Sequence, residues 1–534
     1  MDEPRKRHPL RRDLIALTSA YLLTRLIVSI GAGVTYNIWP VETGWDMHLL
    51  DTKLLRHDLF TSLFYLHSQP PGYNLASAFM LQLPSGTRVA VGYVISLILG
   101  LAVVWSSYLL MHDLHIRRWL TLTAVTLGLI LSPVWLLYAN YFFYSYWAAV
   151  LISVSLLCLL RYLRSQRPIY GITFFSVNAL AILFDSQYQF PLLILGLGAI
   201  VLIARMPWKP VLLVALLPVL IVGGWYAKNL ILFGTPSTSS WAGINISRIA
   251  LFNSDPAQIR QLIAQHKLSA MALSPGFRPL NAEIWGYTGH KILYPHTGVK
   301  ALDQIKKSNQ QDNTNNKAYI EISRALLTED LHSVTHTPGH YFHNVEKSVA
   351  IWFTPSDENF LLTGVASFLA TPQLRAYNKF VKQNGLVTPA MQRYLNAYEG
   401  ILGLRMAEGT PGSWVKIDTS VPTPRISQLS ITEILMELAF LFGIPWIAWE
   451  RRRDRKMLAF LAYLWLIAIM VFLESSLLDL GENDRFRFSL GTSLLIGGIV
   501  VIDRFLPRTR KTAARDGEQD LALPDKDAGL PLPS

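Results

Sequence analysis

Cysteine occurs once in 534 residues, as Cys158, and it stands inside an apolar block. No internal disulfide can form, so a disulfide-stapled fold is excluded, and the redox compartment stays unreadable. Charge is scarce as well. Asp, Glu, Lys and Arg make up 16% of the chain, whereas a soluble domain carries about 25%. That deficit argues against an ordinary cytosolic enzyme. There is no Walker A sequence, no Rossmann glycine pattern, no cysteine pair and no nucleophile elbow. Charged residues between Met1 and Arg12 are not followed by a short apolar core with a small-residue cleavage site. The N-terminus therefore reads as a retained tail rather than a signal peptide.

What the chain has in excess is apolar sequence, at 51%. Ten apolar segments can be marked: 13–36, 86–111, 119–139, 145–160, 169–184, 190–204, 210–227, 431–449, 457–479 and 488–503. Most approach the roughly 20 residues a helix needs to cross a bilayer. Lipid admits only backbones whose hydrogen bonds are satisfied internally, so each is read as a helix. The net charge of +12 (48 Lys and Arg against 36 Asp and Glu) is read as topology, with no nucleic-acid partner implied. With the N-terminus inside, the inner segments hold clusters such as Arg5-Lys6-Arg7, Arg117-Arg118 and Arg451-Arg452-Arg453. The short outer loops hold only Lys53, Arg56, Arg485 and Arg487. That asymmetry supports about ten spans with both termini cytoplasmic.

The expected architecture is therefore an all-α integral membrane protein. It comprises a cytoplasmic tail at 1–12, a transmembrane bundle at 13–233 with an outer loop at 37–85, and an extracytoplasmic domain at 234–430. Further membrane helices lie at 431–505 and a disordered cytoplasmic tail at 506–534. The outer domain reads as mostly helical. Ser254-Asp255-Pro256 offers an N-cap followed by proline at N1. Apolar spacing over 257–270, 318–331 and 341–353 suits amphipathic helices.

Polar residues collect at the outer edges of the spans. After Gly44, the first outer loop places Leu49, Leu50, Leu54 and Leu55 on one helical face and Lys53, Arg56 and His57 largely opposite. This predicts a helix lying on the outer leaflet, with Asp46 at its start as either an N-cap or a functional carboxylate. Gln69-Pro70-Pro71-Gly72-Tyr73-Asn74 predicts a rigid turn leading into a short helix that ends near Pro84. Asp185-Ser186-Gln187-Tyr188-Gln189 is polar between apolar walls and is either a solvated turn or part of a site. Lys228, before Asn229, is a cation at the outer surface, either a snorkelling anchor or an anion ligand. Glu482-Asn483-Asp484-Arg485-Phe486-Arg487 packs charge beside the last span, where two arginines suit bidentate phosphate binding. Arg25 and Glu474 lie inside spans and should pair or line a cavity. His332, His336 and His340 repeat every four residues, but Pro338-Gly339 breaks the helix before the third, so no metal site is expected.

This layout resembles the GT-C superfamily of polyprenyl-phosphate-dependent glycosyltransferases, in the manner of protein O-mannosyltransferases and lipid A aminoarabinose transferases. The resemblance rests on Asp46 shortly after the first span and on the Pro70-Pro71 turn. It rests also on Leu131-Ser132-Pro133-Val134-Trp135 through Asn140, on Trp225-Tyr226-Ala227-Lys228-Asn229 with Phe233-Gly234-Thr235-Pro236, and on Glu482 through Phe488. It covers residues 1 to about 505, with short and degenerate motifs. The chain departs from the pattern where relatives carry adjacent acidic residues in the first loop, since Asp46 stands between Trp45 and Met47. It departs again before the fourth span, where Tyr144-Ser145-Tyr146 replaces an acidic residue, and after the fifth, where Asp185 replaces a basic one.

The resemblance implies inverting sugar transfer from a polyprenyl-phosphate donor to an acceptor hydroxyl on the outer face of a bacterial inner or plasma membrane. Asp46 would be the general base. Lys228, Arg485 and Arg487 would hold the leaving phosphate. Gln69, Tyr73, Asp185, Gln187, Asn229 and Glu482 would line the substrates. No cofactor is implied beyond the donor lipid, because cations can balance a single leaving phosphate. Its partners would be membrane lipid, the lipid-linked sugar and a glycan, lipid or protein acceptor. A lipid-linked glycan flippase and a catalytically inert membrane scaffold remain alternatives. A flippase of the repeat type should show two repeated halves with broken helices, and no internal repeat is visible.

Overall fold

The computed structural model describes residues 7–251, 255–273, 276, 280, 296–354, 388–402 and 431–507. Much of the expected tail at 506–534, the start of the N-terminal tail and parts of the outer domain lie outside the described residues. Among those described, the regular elements are all helical, and two isolated bridges, Asn37 with Tyr141 and Lys306 with Asp312, are the extended pairings.

The first span is α1 (Arg7–Leu26), continued by a π turn. The outer loop carries α2 (Trp39–Thr43), α3 (Thr52–His57), α4 (Leu59–Phe64) and α5 (Pro71–Gln82). Then come α6 (Ser85–Asp113), α7 (Arg118–Val125), α8 (Pro133–Ala139), α9 (Tyr144–Ser165), α10 (Pro168–Phe184), α11 (Pro191–Gly198) and α12 (Trp208–Phe233). Beyond the bundle lie α13 (Ala242–Ala250), α14 (Pro256–Ala264), α15 (Lys300–Asp303), α16 (Ala318–His336), α17 (Pro338–Trp352) and α18 (Pro389–Leu402). The chain returns to apolar sequence in α19 (Ile431–Glu450), α20 (Arg455–Leu478), α21 (Asn483–Ser489) and α22 (Gly491–Phe505).

Helices occupy all ten apolar segments, and the chain is an integral, multi-pass membrane protein. Five helices are long and apolar enough to cross a bilayer: Pro9–Gly31, α6, α9, α12 and α20. Two more crossings are reached if each bent pair is one span, namely Arg118–Ile130 with α8, bent by 50°, and α21 with α22, bent by 67°. The first bend has a local cause. Ser132 is extended before Pro133, as the residue ahead of a proline prefers. Pro168–Phe184 and Pro191–Ile203 are shorter apolar helices.

The spans pack around α9, whose apolar window is 78% buried, against 22% for the first span and 28% for α12. Small residues permit that approach: the hydroxyls of Ser106 on α6 and Ser153 on α9 lie 2.8 Å apart. Proline at the first turn, where a missing N–H costs nothing, opens α5, α8, α10, α11, α14 and α17. Asp255 caps α14 by accepting from the Ala257 N–H at 2.9 Å. The predicted helical stretches at 257–270, 318–331 and 341–353 correspond to α14, α16 and α17. The break between His336 and His340 falls at Thr337.

Two expectations need correction, and a third is met in a different form. Asp46 is not a helix cap: α3 begins at Thr52, and Asp51 caps it through the Lys53 N–H at 2.9 Å. The leucines of that loop do not face the outer leaflet. Leu49, Leu50, Leu54 and Leu55 are buried in the protein, and the exposed apolar side chains nearby are Phe60 and Phe64 on α4. Arg25 finds no carboxylate among the described residues. Its Nη1 donates to the Ile130 carbonyl at 2.8 Å, one of the acceptors a helix leaves free near its end, and its guanidinium lies 4.4 Å from the Tyr21 ring centroid.

Candidate active site

The loop after the first span and the segment before α9 are joined by backbone. Asn37 donates to the Asn140 carbonyl at 2.7 Å, and Phe142 donates to the Asn37 carbonyl at 2.9 Å. This pairing brings the Asp46 loop against Phe142, Phe143 and Tyr144.

Within the loop, Asp46 Oδ1 accepts from the His48 backbone N–H at 2.8 Å and from His48 Nδ1 at 2.6 Å. Asp46 Oδ2 accepts from the Tyr73 hydroxyl at 3.1 Å. The Pro70-Pro71 turn delivers that tyrosine, and the adjacent Asn74 clamps the loop, accepting from the Leu50 N–H at 2.7 Å and donating to the His48 carbonyl at 3.0 Å. His48 Nε2 meets the Tyr144 hydroxyl at 3.3 Å. The same hydroxyl accepts from Arg485 Nη1 at 2.7 Å, and Arg485 also donates to Ser145 Oγ at 3.1 Å. Arg485 Nη2 is paired with Glu482. The rings of Phe143, Tyr144 and Trp241 enclose the imidazole at centroid distances of 5.9, 5.2 and 5.8 Å.

The electrostatics follow from these contacts. Burial pushes the Asp46 carboxyl up, but His48 and Lys307 beside it hold it below the ordinary carboxylate range. Glu482 behaves likewise: burial raises it, and Arg485, Arg248 and His48 outweigh that. Asp185 goes the other way, because burial outweighs Arg485. Its Oδ1 accepts from the Gln187 N–H at 3.0 Å, while its buried Oδ2 has no hydrogen-bond partner among the described residues. Gln187 reaches the Phe486 carbonyl at 3.2 Å, and Tyr188 meets Ser489 at 2.8 Å. The 185–189 loop is thus seated against α21, with Asp185, Gln187 and Tyr188 buried, and it is not a solvated turn.

Of the residues singled out in the sequence, Asp46, Tyr73, Asp185, Gln187, Glu482 and Arg485 share this neighbourhood. Gln69 is buried in the turn ahead of α5. Lys228 and Asn229 stand at the outer end of α12. Lys228 Nζ donates to the Leu66 carbonyl at 2.7 Å and lies 3.6 Å from the Trp225 ring centroid, so it is held by protein rather than only snorkelling. Asn229 donates to the Ser237 carbonyl at 2.6 Å. Arg487 turns to α19, with Glu433 at 2.6 Å, Glu437 at 3.8 Å and the Thr354 carbonyl at 2.7 Å.

His48, Tyr144 and Lys307 are site residues for which the sequence suggested no role. His48 had a signal, since a histidine two residues after an aspartate can close a local turn onto it. Tyr144 joins the site through its hydroxyl, which accepts from Arg485 Nη1 at 2.7 Å. Lys307 had no local signal.

No family model matches the chain, and no curated protein matches it. Among solved structures it is similar to ArnT from Cupriavidus metallidurans bound to undecaprenyl phosphate. The identity is 14% and the TM-score 0.29, over 92% of this chain and 77% of that one. A likeness of that degree does not establish a shared fold.

Proposed function

We propose that the protein is a membrane glycosyltransferase of the GT-C type. It moves a sugar from a polyprenyl phosphate to an acceptor hydroxyl at the outer face of the membrane, with inversion at the anomeric carbon. The observation that carries this reading is the run of contacts Asp46–His48–Tyr144–Arg485–Glu482. It joins a base centre to a buried guanidinium at the edge of the spans. Proton removal and stabilisation of a leaving phosphate are the two demands of such a transfer. The base centre is the Asp46 carboxylate with His48 bound to it. Arg485 faces the leaving phosphate, and Lys228 at the end of α12 supplies a second cation along the lipid's path. Asp185 and Gln187 contribute hydrogen-bonding groups for the sugar.

The test is transfer by purified protein in detergent, with polyprenyl-phosphate sugars as donors and envelope glycans, lipids and hydroxyl-bearing peptides as acceptors. Release of free polyprenyl phosphate, slowed in Asp46→Asn, is the expected result. Movement of intact lipid-linked sugar across a vesicle bilayer without release would make the protein a flippase. Neither release nor movement would leave a membrane scaffold.

A further inference from the structure

Which group takes the proton is a separate question, and it rests on the transferase reading. Both oxygens of Asp46 are engaged, Oδ1 by two donors of His48 and Oδ2 by the Tyr73 hydroxyl. We infer that His48, oriented by Asp46, is the proton acceptor, through Nε2.

With the imidazole neutral, the two ends of the chain of contacts fix its direction. A guanidinium only donates and an ionised carboxylate only accepts. Arg485 Nη1 therefore donates to the Tyr144 oxygen at 2.7 Å, and the Tyr144 O–H is directed to His48 Nε2 at 3.3 Å. His48 Nδ1–H donates to Asp46 Oδ1 at 2.6 Å. The neutral imidazole thus carries its hydrogen on Nδ1 and its lone pair on Nε2, on the side of Arg485. This is the tautomer a carboxylate–histidine pair needs for base catalysis. The 3.3 Å contact at Nε2 is the longest of the series, so an incoming hydroxyl can take that place while Arg485 and Ser145 keep Tyr144 and the guanidinium in position.

The step balances. The acceptor O–H gives its proton to Nε2, and its oxygen bonds to the anomeric carbon. The bond from that carbon to the phosphate oxygen breaks, and the electron pair leaves with the phosphate towards Arg485. Asp46 and Glu482 favour the resulting imidazolium, as does Asp185 when ionised; Arg485, and Lys307 behind Asp46, oppose it. Tyr73, Tyr144, Phe143 and Trp241 complete the surroundings. The imidazole side chain is 16% exposed, which gives the proton a way out to water.

The test compares pH profiles of kcat for wild type, His48→Gln and Asp46→Asn, with binding of radiolabelled polyprenyl phosphate as the control for a folded site. His48→Gln should lower kcat about 100- to 10,000-fold, leave the donor KM unchanged and abolish the acid limb. Asp46→Asn should lower kcat but keep an acid limb, because the imidazole is still present. An acid limb retained by His48→Gln and abolished in Asp46→Asn would make Asp46 itself the base. A readout independent of turnover is carbethoxylation of His48 by diethyl pyrocarbonate at fixed pH, followed by mass spectrometry. The labelling rate should change in Asp46→Asn, where the ring loses the carboxylate that orients it, and an unchanged rate overturns the coupling. If wild type transfers nothing from any donor, the transferase reading falls and this inference falls with it. If wild type transfers and His48→Gln matches its rate, only the assignment of His48 falls.

Discussion

Lys307, separated from Asp46 by 261 positions in sequence, donates through Nζ to the Asp46 backbone oxygen at 2.8 Å. Around this contact the outer domain holds the whole loop. Ser308 donates to the Asp51 carboxylate through N at 2.7 Å and Oγ at 2.6 Å, Asn309 donates to the Thr43 carbonyl at 2.8 Å, and Thr314 donates to the Met47 carbonyl at 2.5 Å. The short loop 306–314 therefore fixes the backbone from which Asp46 and His48 project. A misplacement of about 1 Å at such a centre costs roughly 100-fold in rate.

The Lys307 ammonium is buried, and burial lowers its pKa from 10.5 to about 8 despite Asp46, Asp51 and Asp312. Between those values the unfolded chain holds a proton that the folded chain lacks, so the contribution of Lys307 to stability rises with pH through that window. It is fully present above pH 10.5 and lost as pH falls to about 8. Thermal unfolding in detergent across that range should show the rise in wild type and a flatter curve in Lys307→Met. Equal slopes for the two would mean that the ammonium is hydrated.

Arg485 and Glu482 form a buried pair, with side chains 3% and 17% exposed. Removing one partner of such a pair leaves a charge without compensation and costs about 3–5 kcal/mol, whereas replacing both with apolar groups is often nearly neutral. Arg485→Met should therefore lower the melting temperature strongly, and Glu482→Met should do the same. The double variant should recover much of the loss while remaining unable to transfer. Additive losses would show that the two charges are independently solvated.

Gly243 on α13 faces α16 so closely that an added Cβ would lie 1.8 Å from the Ser323 carbonyl oxygen and 2.8 Å from the Leu327 nitrogen. Both are backbone atoms and cannot swing aside. Gly→Ala in an exposed helix usually gains up to about 1 kcal/mol. Here the sign should reverse, because α13 must be pushed off α16 and the Ser323 hydroxyl loses its 3.0 Å contact with the Gly243 N–H. The check is the melting temperature of Gly243→Ala, which should fall. A rise would mean that the two helices have room between them.

The spans were legible because crossing lipid imposes a length and an apolarity that a single sequence window carries. The outer-edge polar residues were legible for the same reason, since they interrupt apolar walls. Tyr73 and Asn74 were placed by two prolines whose geometry is local. What could not be read is long-range pairing. Nothing in Lys306-Lys307-Ser308 indicates that Lys307 meets Asp46, and nothing around Asp46 shows that its loop is buried under Trp241 and Thr314. The leucines of that loop have helical spacing, yet Leu49 and Leu50 precede α3, because Asp51 begins the helix and Asn74 holds the residues before it in a turn.

Arg485 and Arg487 show how a local motif can mislead. Read as a line of sequence, Arg485-Phe486-Arg487 suits a two-pronged phosphate clamp. On a helix, two positions are about 200° apart at roughly 100° per residue, so the guanidinium groups of α21 point to opposite sides. Arg485 meets Tyr144 and Glu482. Arg487 is taken up by Glu433 and Glu437 of α19 and by the Thr354 carbonyl. The two arginines should then separate in function. Arg487→Gln leaves two glutamates facing each other without their cation, and should cost stability of the order of 3–5 kcal/mol while donor-lipid affinity stays at the wild-type level. Arg485→Gln should weaken donor binding and lower transfer. Chemical unfolding and binding of radiolabelled polyprenyl phosphate, measured on both variants, decide the matter. Loss of lipid affinity in Arg487→Gln at unchanged stability would mean that Arg487 leaves its glutamates to hold the phosphate, and that the two side chains act on one ligand.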